Sequence, residues 1–305
     1  HYLMVEVTAT NIAGELIERS GAMALVKRIP VNVTAPSVTG TAGLNQELTA
    51  DPGTWSGTEP MRFEYQWFRC AAKQLAASAT APSGCSAIFA AMNDTYAPTD
   101  ADIEKYLIVR ATAKNETEDV AKFSASTEIV STQPRYSTGL KVAVFSPATT
   151  GAPRAGGEVR TTVGTWNARP APTYAYQWYV CPAKVAAVGT TIAGDCQSVE
   201  GATGANLTVT RNMVGLFPRV KVTASTLAGS ESRYSMTTSL PVLTPPFATT
   251  VPAVSGYPFV KATLSTTVGV WDASPTSTQT YSWFVCDSEV TSSVTAKPAS
   301  CVASR

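Results

Sequence analysis

The sequence is poor in charge and has a single histidine, His1. Charged residues make up 15% of its 305 residues, and the formal net charge is +1. Because no basic excess or Lys/Arg cluster is present to neutralise phosphates, we do not expect a nucleic-acid partner. No run of about 18 apolar residues occurs, so we expect no membrane span in this segment.

The scarcity of histidine also bears on catalysis. A Ser-His-Asp or Cys-His arrangement needs a base whose pKa lies near neutrality. His1, at the start of the chain, cannot supply such a base to each of the three repeats described below. We therefore expect no enzymatic activity, no catalytic residue and no cofactor.

What the sequence does contain is a repeated unit. One stretch occurs three times, as Tyr65-Gln66-Trp67-Phe68-Arg69-Cys70, Tyr176-Gln177-Trp178-Tyr179-Val180-Cys181 and Tyr281-Ser282-Trp283-Phe284-Val285-Cys286. Each copy follows a second landmark, which is Gly53-Thr54-Trp55, Gly164-Thr165-Trp166 or Gly269-Val270-Trp271. The spacing of about a hundred residues is that of a small domain, and it predicts a tandem array of one module.

All six cysteines fall at matching places in these copies. We interpret them as three disulfides within modules, which pair Cys70 with Cys85, Cys181 with Cys196, and Cys286 with Cys301. Zinc is the alternative, but zinc sites normally draw four ligands and the only histidine is His1. Disulfides indicate an oxidising, extracellular location.

Alternating hydrophobicity marks the penultimate strand of each module. The apolar positions are Leu3, Val5, Val7 and Ala9, then Leu107, Val109, Ala111 and Ala113, then Pro218, Val220, Val222 and Ala224. The intervening positions are Met4, Glu6 and Thr8, then Ile108, Arg110 and Thr112, then Arg219, Lys221 and Thr223. A period of two predicts one face on a core and the other in solvent. We therefore place Val109, Val220 and Val222 in the core.

The aromatic residues of the central strand have two interpretations. Flat Trp faces suit a carbohydrate-stacking platform. However, Trp at identical strand positions in every module is what a core needs, and burying such a ring contributes a few kcal/mol. We predict that the core includes Trp67, Trp178 and Trp283 together with Tyr65, Tyr176 and Tyr281. The prediction is weaker for Trp55, Trp166 and Trp271, because these lie beside turns.

The repeats predict four segments and an all-β fold. Short strands with turn signals every 8–12 residues or so are typical of a two-sheet sandwich. Residues 31–131 and 139–243 are predicted to be complete modules, residues 1–30 the C-terminal half of a module, and residues 250–305 an N-terminal half. Each half would leave an apolar face and a sheet edge open. We favour continuation of the chain into further modules; the alternative is that the C-terminal half of one molecule is completed by the N-terminal half of the next.

One carboxylate pair could carry chemistry. Asp100 and Asp102 are placed to act in acid–base catalysis or to bind calcium. The second module has Arg211-Asn212-Met213 at this corner instead. We therefore interpret the pair as a solvated turn whose side chains cap backbone N–H groups, and we predict no metal site.

The repeated unit resembles the bacterial immunoglobulin-like repeats of large secreted and surface-attached proteins, especially those of actinobacteria. The resemblance is carried by Gly53-Thr54-Trp55, Tyr65 to Cys70, Cys85, Tyr106 to Asn115 and their equivalents. The resemblance covers nearly the whole chain and implies tandem immunoglobulin-like β-sandwich modules, each with a local disulfide. In antibody domains the disulfide joins the two sheets beneath a Trp. Here the cysteine spacing is too short for that, so the inter-sheet core must rest on packing around Trp67 and Trp178.

Such repeats imply a non-enzymatic structural role in a cell-surface protein, as a spacer, a stalk or a subunit of a surface array such as an S-layer. The alternative is an adhesin that binds a glycan or protein ligand through its loops. The expected partners are neighbouring copies or further modules of the same protein, and under the alternative a surface glycan or protein.

Overall fold

The computed structural model describes residues 1–146, 151–192, 194–274, 276–292 and 294–304. Arg305, the last residue of the predicted segment 250–305, lies outside them. Strands β1 to β11 are Glu6–Asn11, Gly14–Arg19, Val31–Asn32, Ser37–Thr39, Leu48–Asp51, Trp55–Ser56, Arg62–Cys70, Cys85–Ala87, Thr95–Tyr96, Tyr106–Lys114 and Asp119–Phe123. Strands β12 to β18 are Arg135–Ser146, Glu158–Asn167, Thr173–Cys181, Gln197–Ser198, Asn206–Thr208, Phe217–Thr226 and Gly229–Tyr234. Strands β19 to β24 are Thr244–Thr250, Ala253–Ser255, Ser265–Thr267, Val270–Ser274, Phe284–Cys286 and Cys301–Ala303.

The predicted all-β fold is confirmed. The helical segments in the described residues are two 3-10 turns, Asp100–Asp102 and Arg211–Met213. The chain forms two compact units. The first comprises His1–Arg135, Trp166–Thr173 and Ala224–Glu231, and the second comprises Tyr136–Thr165, Tyr174–Thr223 and Ser232–Arg305. Two short segments of the predicted module 139–243 thus belong to the first unit, and the four-part division stays a prediction.

The first unit contains a two-sheet sandwich. One sheet has the strand order β11-β10-β7-β8 and the other β4-β5-β9. Between them lies a core of Ala42, Leu48, Ala50, Trp67, Leu107, Val109 and Val130, with Tyr65 and Tyr96 half-buried against it. Strands β7 and β10 are antiparallel, and Val109 pairs directly with Trp67. Alternation on these strands therefore places both residues on the face that meets the second sheet.

The opposite face of the β7–β10 pair is also covered, which corrects the expectation that it faces solvent. Ile108 is fully buried in a second, smaller cluster with Phe68, Cys70 and Phe123. The cover is the disulfide loop, residues 71–84, because Ser78 and Phe123 exchange two main-chain hydrogen bonds of 3.1 and 2.8 Å. Each sandwich face of this strand pair therefore has its own core.

The second unit repeats this arrangement. Its sheets have the orders β15-β14-β17-β18 and β12-β13-β16. The buried apolar side chains include Leu140, Val159, Trp178, Leu207, Val209, Val220, Val222 and Val242. Tyr176, on the same strand as Trp178, is half-buried. The same loop closure recurs, since Gly189 and Tyr234 exchange main-chain hydrogen bonds of 3.0 and 2.8 Å.

The repeated Gly-Thr-Trp landmark has a steric cause. Gly53, Gly164 and Gly269 have φ values of 74°, 76° and 70°. A Cβ on these residues would lie 2.2, 2.4 and 2.1 Å from a main-chain oxygen. Only glycine combines this left-handed conformation with so close an approach of two backbone segments.

The N-terminal hairpin, β1 and β2, has the main-chain register of β10 and β11. Glu6 pairs with Arg19 and Arg110 pairs with Phe123, and the numbers of both partners differ by 104 (110 − 6 and 123 − 19). Every residue of β1 and β2 is nevertheless exposed.

The C-terminal strand pairs match the first half of the sandwich. Cys286 pairs with Cys301 as Cys70 pairs with Cys85, and the numbers of both partners differ by 216 (286 − 70 and 301 − 85). Here Trp283 is 42% exposed and Tyr281 is 58% exposed, so the prediction that both lie in a core is wrong. The reason is that no strand among the described residues of 250–304 takes the place that β10 holds beside Trp67.

Candidate functional site

Three disulfides lie at the predicted positions. They join Cys70 to Cys85, Cys181 to Cys196 and Cys286 to Cys301, with Cα–Cα distances of 4.0, 4.1 and 4.0 Å. The first links two directly paired residues of β7 and β8. The Cys70–Cys85 and Cys181–Cys196 bridges therefore hold the ends of the two loops that cover the outer faces of their sheets.

The linker residue Arg28 is held by hydrogen bonds from two loops. Its main-chain oxygen accepts from Asn115 Nδ2 at 2.9 Å and from Thr58 N at 3.1 Å, and its N–H donates to Thr58 Oγ1 at 2.7 Å. Beside it, Lys27 forms a salt bridge with Glu116. The linker before residue 31 is therefore bonded to two loops of the segment that follows it, although Lys27 and Arg28 are exposed.

The next linker has hydrogen bonds between the equivalent positions, with different residue types and partly different acceptor atoms. Thr132 N donates to the Arg169 oxygen at 2.7 Å, Arg169 N donates to Thr132 Oγ1 at 2.8 Å, and Thr226 Oγ1 donates to the Thr132 oxygen at 2.8 Å. In the repeat, Thr132 stands at the place of Arg28 and Thr226 at the place of Asn115. The same positions can be joined at both linkers because main-chain atoms and short polar side chains of several residue types can make such bonds.

Further bonds flank this second linker. Ser131 Oγ accepts from Ala228 N at 2.9 Å, and Gln46 Nε2 donates to the Ala228 oxygen at 3.1 Å. All of these residues belong to the first unit. Sequence reasoning missed this network, although Asn115 and Thr226 at matching places after the penultimate strand were a detectable signal.

Asp102 lies in a buried polar cluster, and Asp100 does not take part in it. One carboxylate oxygen accepts from Arg69 Nε at 2.6 Å, and the other accepts from Tyr96 Oη, Thr99 N and Thr99 Oγ1 at 2.7 to 2.9 Å. Burial alone would raise the pKa of Asp102, but the hydrogen bonds from Thr99, Arg69 and Tyr96 outweigh it and lower that pKa. The side chain does cap a backbone N–H as predicted, yet it is fully buried rather than solvated.

No metal centre is built around this corner or elsewhere in the described residues. Within them, no three or more His, Cys, Asp and Glu side chains are grouped to hold a metal ion. In the second unit Val180 and Met213 take the places of Arg69 and Asp102, just as Trp178 takes the place of Trp67. The corner therefore holds an ion pair in the first unit and two apolar side chains in the second.

Arg219 is a buried cation that the sequence pattern placed on a solvent-facing side. It is 2% exposed, at the position that Ile108 holds in the first unit. Its Nε donates to the Ser235 oxygen at 2.7 Å, and its guanidinium lies 5.4 Å from the centre of the Tyr234 ring. Burial lowers the pKa of Arg219, and the charge of Tyr234 opposes this shift.

The C-terminal strand pairs form an open groove of about 480 Å³, lined by polar and aromatic side chains. Trp271, Tyr281 and Trp283 line it, and each is more than a third exposed. Trp271 Nε1 donates to the Val268 oxygen at 2.7 Å, as Trp55 Nε1 donates to the Pro52 oxygen at 2.8 Å. Trp271 thus keeps the hydrogen bond that its counterpart Trp55 makes in the first unit.

Comparison with models of protein families found none that matches the chain, and comparison with curated proteins found no match either. No helix among the described residues is long and apolar enough to cross a membrane.

Proposed function

We propose that this chain is a non-enzymatic structural segment of an extracellular cell-surface protein, in which immunoglobulin-like modules serve as spacers. The observation that carries the proposal is the repeated set of hydrogen bonds at Arg28 and Thr132. A free linker would allow neighbouring modules to reorient. Hydrogen bonds between equivalent positions at both of these linkers support a stalk or array subunit.

The bonds are individually modest, and their number matters. Each hydrogen bond contributes roughly 1 kcal/mol net, so three bonds at one linker residue restrain it by a few kcal/mol. That is enough to keep the linker ordered without a large hydrophobic interface. The resemblance to bacterial immunoglobulin-like repeats supports the same assignment.

The disulfides support the extracellular location. Such bridges persist in oxidising compartments and are rare in the cytosol. A surface spacer is exposed to proteases, and each bridge holds down the loop between its two cysteines, which would otherwise be a cleavage site.

Two experiments test the proposal. Antibody labelling of intact cells of the producing organism should detect the protein at the surface, and labelling only after permeabilisation would contradict the assignment. A glycan array and a surface-protein pull-down should yield no specific ligand; a ligand whose binding is lost on loop substitution would replace the spacer with the adhesin alternative.

A further inference from the structure

A second open space, the arginine cleft, lies at the linker that contains Thr132. Its volume is about 660 Å³, and every residue that lines it belongs to the first unit. Two arginines supply its charge, Arg135 and Arg169. Its other lining residues are uncharged and include Asn45, Gln133, Trp166 and Asn167. The cleft therefore brings two guanidinium groups and three amide groups to one space.

The charge of these two arginines is not balanced by a carboxylate in the part of the chain that the structure describes. No salt bridge within that part includes Arg135 or Arg169, and both residues are exposed. Trp166 lines the same cleft and is only 8% exposed, so it is a packed apolar wall. A wall of low dielectric strengthens the attraction between the two cations and an anion that enters the cleft.

The main chain on two sides of the cleft is held by hydrogen bonds. Asn45 N donates to the Pro98 oxygen at 2.9 Å. Arg169 and Thr132 are joined by two bonds of 2.7 and 2.8 Å. A ligand that binds here therefore orders side chains but not the backbone, which lowers the entropic cost of binding.

The pair of arginines occurs at this linker and at neither of the other two. In the linker before it, the equivalent positions (135 − 104 and 169 − 111) hold Val31 and Thr58. In the linker after it, the equivalent positions (135 + 112 and 169 + 105) hold Phe247 and Ser274. The fold of the linker is thus compatible with apolar and small polar residues at both places. Two arginines that the fold does not require, facing one cleft, point to a ligand.

We propose that the arginine cleft binds a phosphate-type dianion, with Arg135 and Arg169 as its two cationic contacts. A guanidinium donates two parallel N–H bonds to an oxyanion, and two guanidinium groups balance two negative charges. The amide groups of Asn45 and Asn167 supply further N–H donors for the remaining oxygens. A carboxylate with a single charge would leave one arginine unbalanced. The site does not depend on the spacer function, which surface labelling tests separately.

The first test is isothermal titration of the 305-residue chain with inorganic phosphate at constant ionic strength. We expect saturable binding at one site, which Arg135→Gln and Arg169→Gln should each weaken by about tenfold or more, because a charge-assisted bond is lost. Arg62→Gln is the control, since Arg62 is an exposed arginine of the same unit outside the cleft. All three arginines are exposed, and near-UV circular dichroism checks that each variant is folded. No saturable binding, or an equal loss in Arg62→Gln, would overturn the proposal.

The second test compares anions of different charge by competition with phosphate. At about pH 8, phosphate and its monoesters are mainly dianions, so sulfate and glycerol phosphate should compete and acetate should bind about tenfold more weakly or not at all. Competition by glycerol phosphate would extend the site to phosphate esters, and its failure beside competition by sulfate would restrict the site to free ions. Arg169→Lys keeps the charge but not the planar fork, and it should bind phosphate more weakly than the unmodified chain. Acetate that binds as tightly as phosphate would contradict the assignment of a dianion.

Discussion

Arg69 Nε donates a 2.6 Å hydrogen bond to Oδ1 of Asp102, and the aspartate side chain is fully buried. The second unit holds Val180 and Met213 at the same two positions, with Met213 buried. The two units therefore provide an internal comparison of an ion pair with an apolar pair at one site of a shared fold.

The pH dependence of stability should differ between the units. The folded-state pKa of Asp102 is lowered, so its contribution is complete above its unfolded pKa of about 3.9 and is lost as the pH falls through the folded value. Acid titration followed by near-UV circular dichroism or NMR should show the first unit losing stability below about pH 4 through this group. The double variant Arg69→Val with Asp102→Met should reduce that loss. An unchanged acid limb in the double variant would contradict the assignment.

Trp67 should be far more sensitive to truncation than Trp283. Trp67→Ala leaves a large cavity between the sheets, and we expect it to lower the free energy of unfolding of the first unit by about 3–5 kcal/mol. Trp283→Ala is the matched control, because Trp283 is the equivalent of Trp67 in the last repeat and its side chain is 42% exposed. Urea denaturation at low protein concentration measures both. Similar losses would mean that Trp283 is buried in solution.

Replacing Arg219 with the residue of the first unit should stabilise the second unit. Among the residues that the structure describes, Arg219 Nη1 has no hydrogen-bond partner although it is buried. A buried unsatisfied donor costs about 1–3 kcal/mol. We expect Arg219→Ile to raise the free energy of unfolding by about 1 kcal/mol or more, and Lys221→Ile, on the same strand face but less buried, to have a smaller effect. Destabilisation by Arg219→Ile would show that the guanidinium is satisfied in solution.

The bonded linker should protect Arg28 from trypsin. Asn115→Ala removes the 2.9 Å bond to the Arg28 oxygen and the 3.1 Å bond to the Thr58 oxygen. If each bond contributes about 1 kcal/mol, cleavage after Arg28 should become about fivefold faster or more. Asn93→Ala, at another exposed asparagine, is the control and should not change the rate. The measurement is the time course of the cleavage fragments by mass spectrometry.

Reduction should have a defined mass signature. The chain has no free cysteine among its six, so reduction under denaturing conditions should add about six protons, two for each disulfide. Peptide mapping should find Cys70 with Cys85 and no peptide that links different modules. Replacing this pair by alanine should cost about 3 kcal/mol, because the bridge closes a loop of roughly 15 residues.

The sequence predicted the repeat and the local pairing well. Trp67 and Trp178 occupy the same place on two sandwiches and are both fully buried. The cysteines bridge within the repeat in which they recur. Both features depend on patterns among residues that are close in sequence, namely the two-residue alternation of a strand and the fixed spacing of the cysteines. Such patterns are visible in a single sequence.

The sequence by itself determined the module, its strand faces and its bridges, because alternation and spacing are properties of neighbouring residues. Only the tertiary structure decided what covers each face. Ile108 and Arg219 are buried because a disulfide loop folds over them, and Trp283 is exposed because no strand lies beside it among the described residues of 250–304. Alternation shows which side chains point the same way, but burial depends on whether a distant segment packs against them.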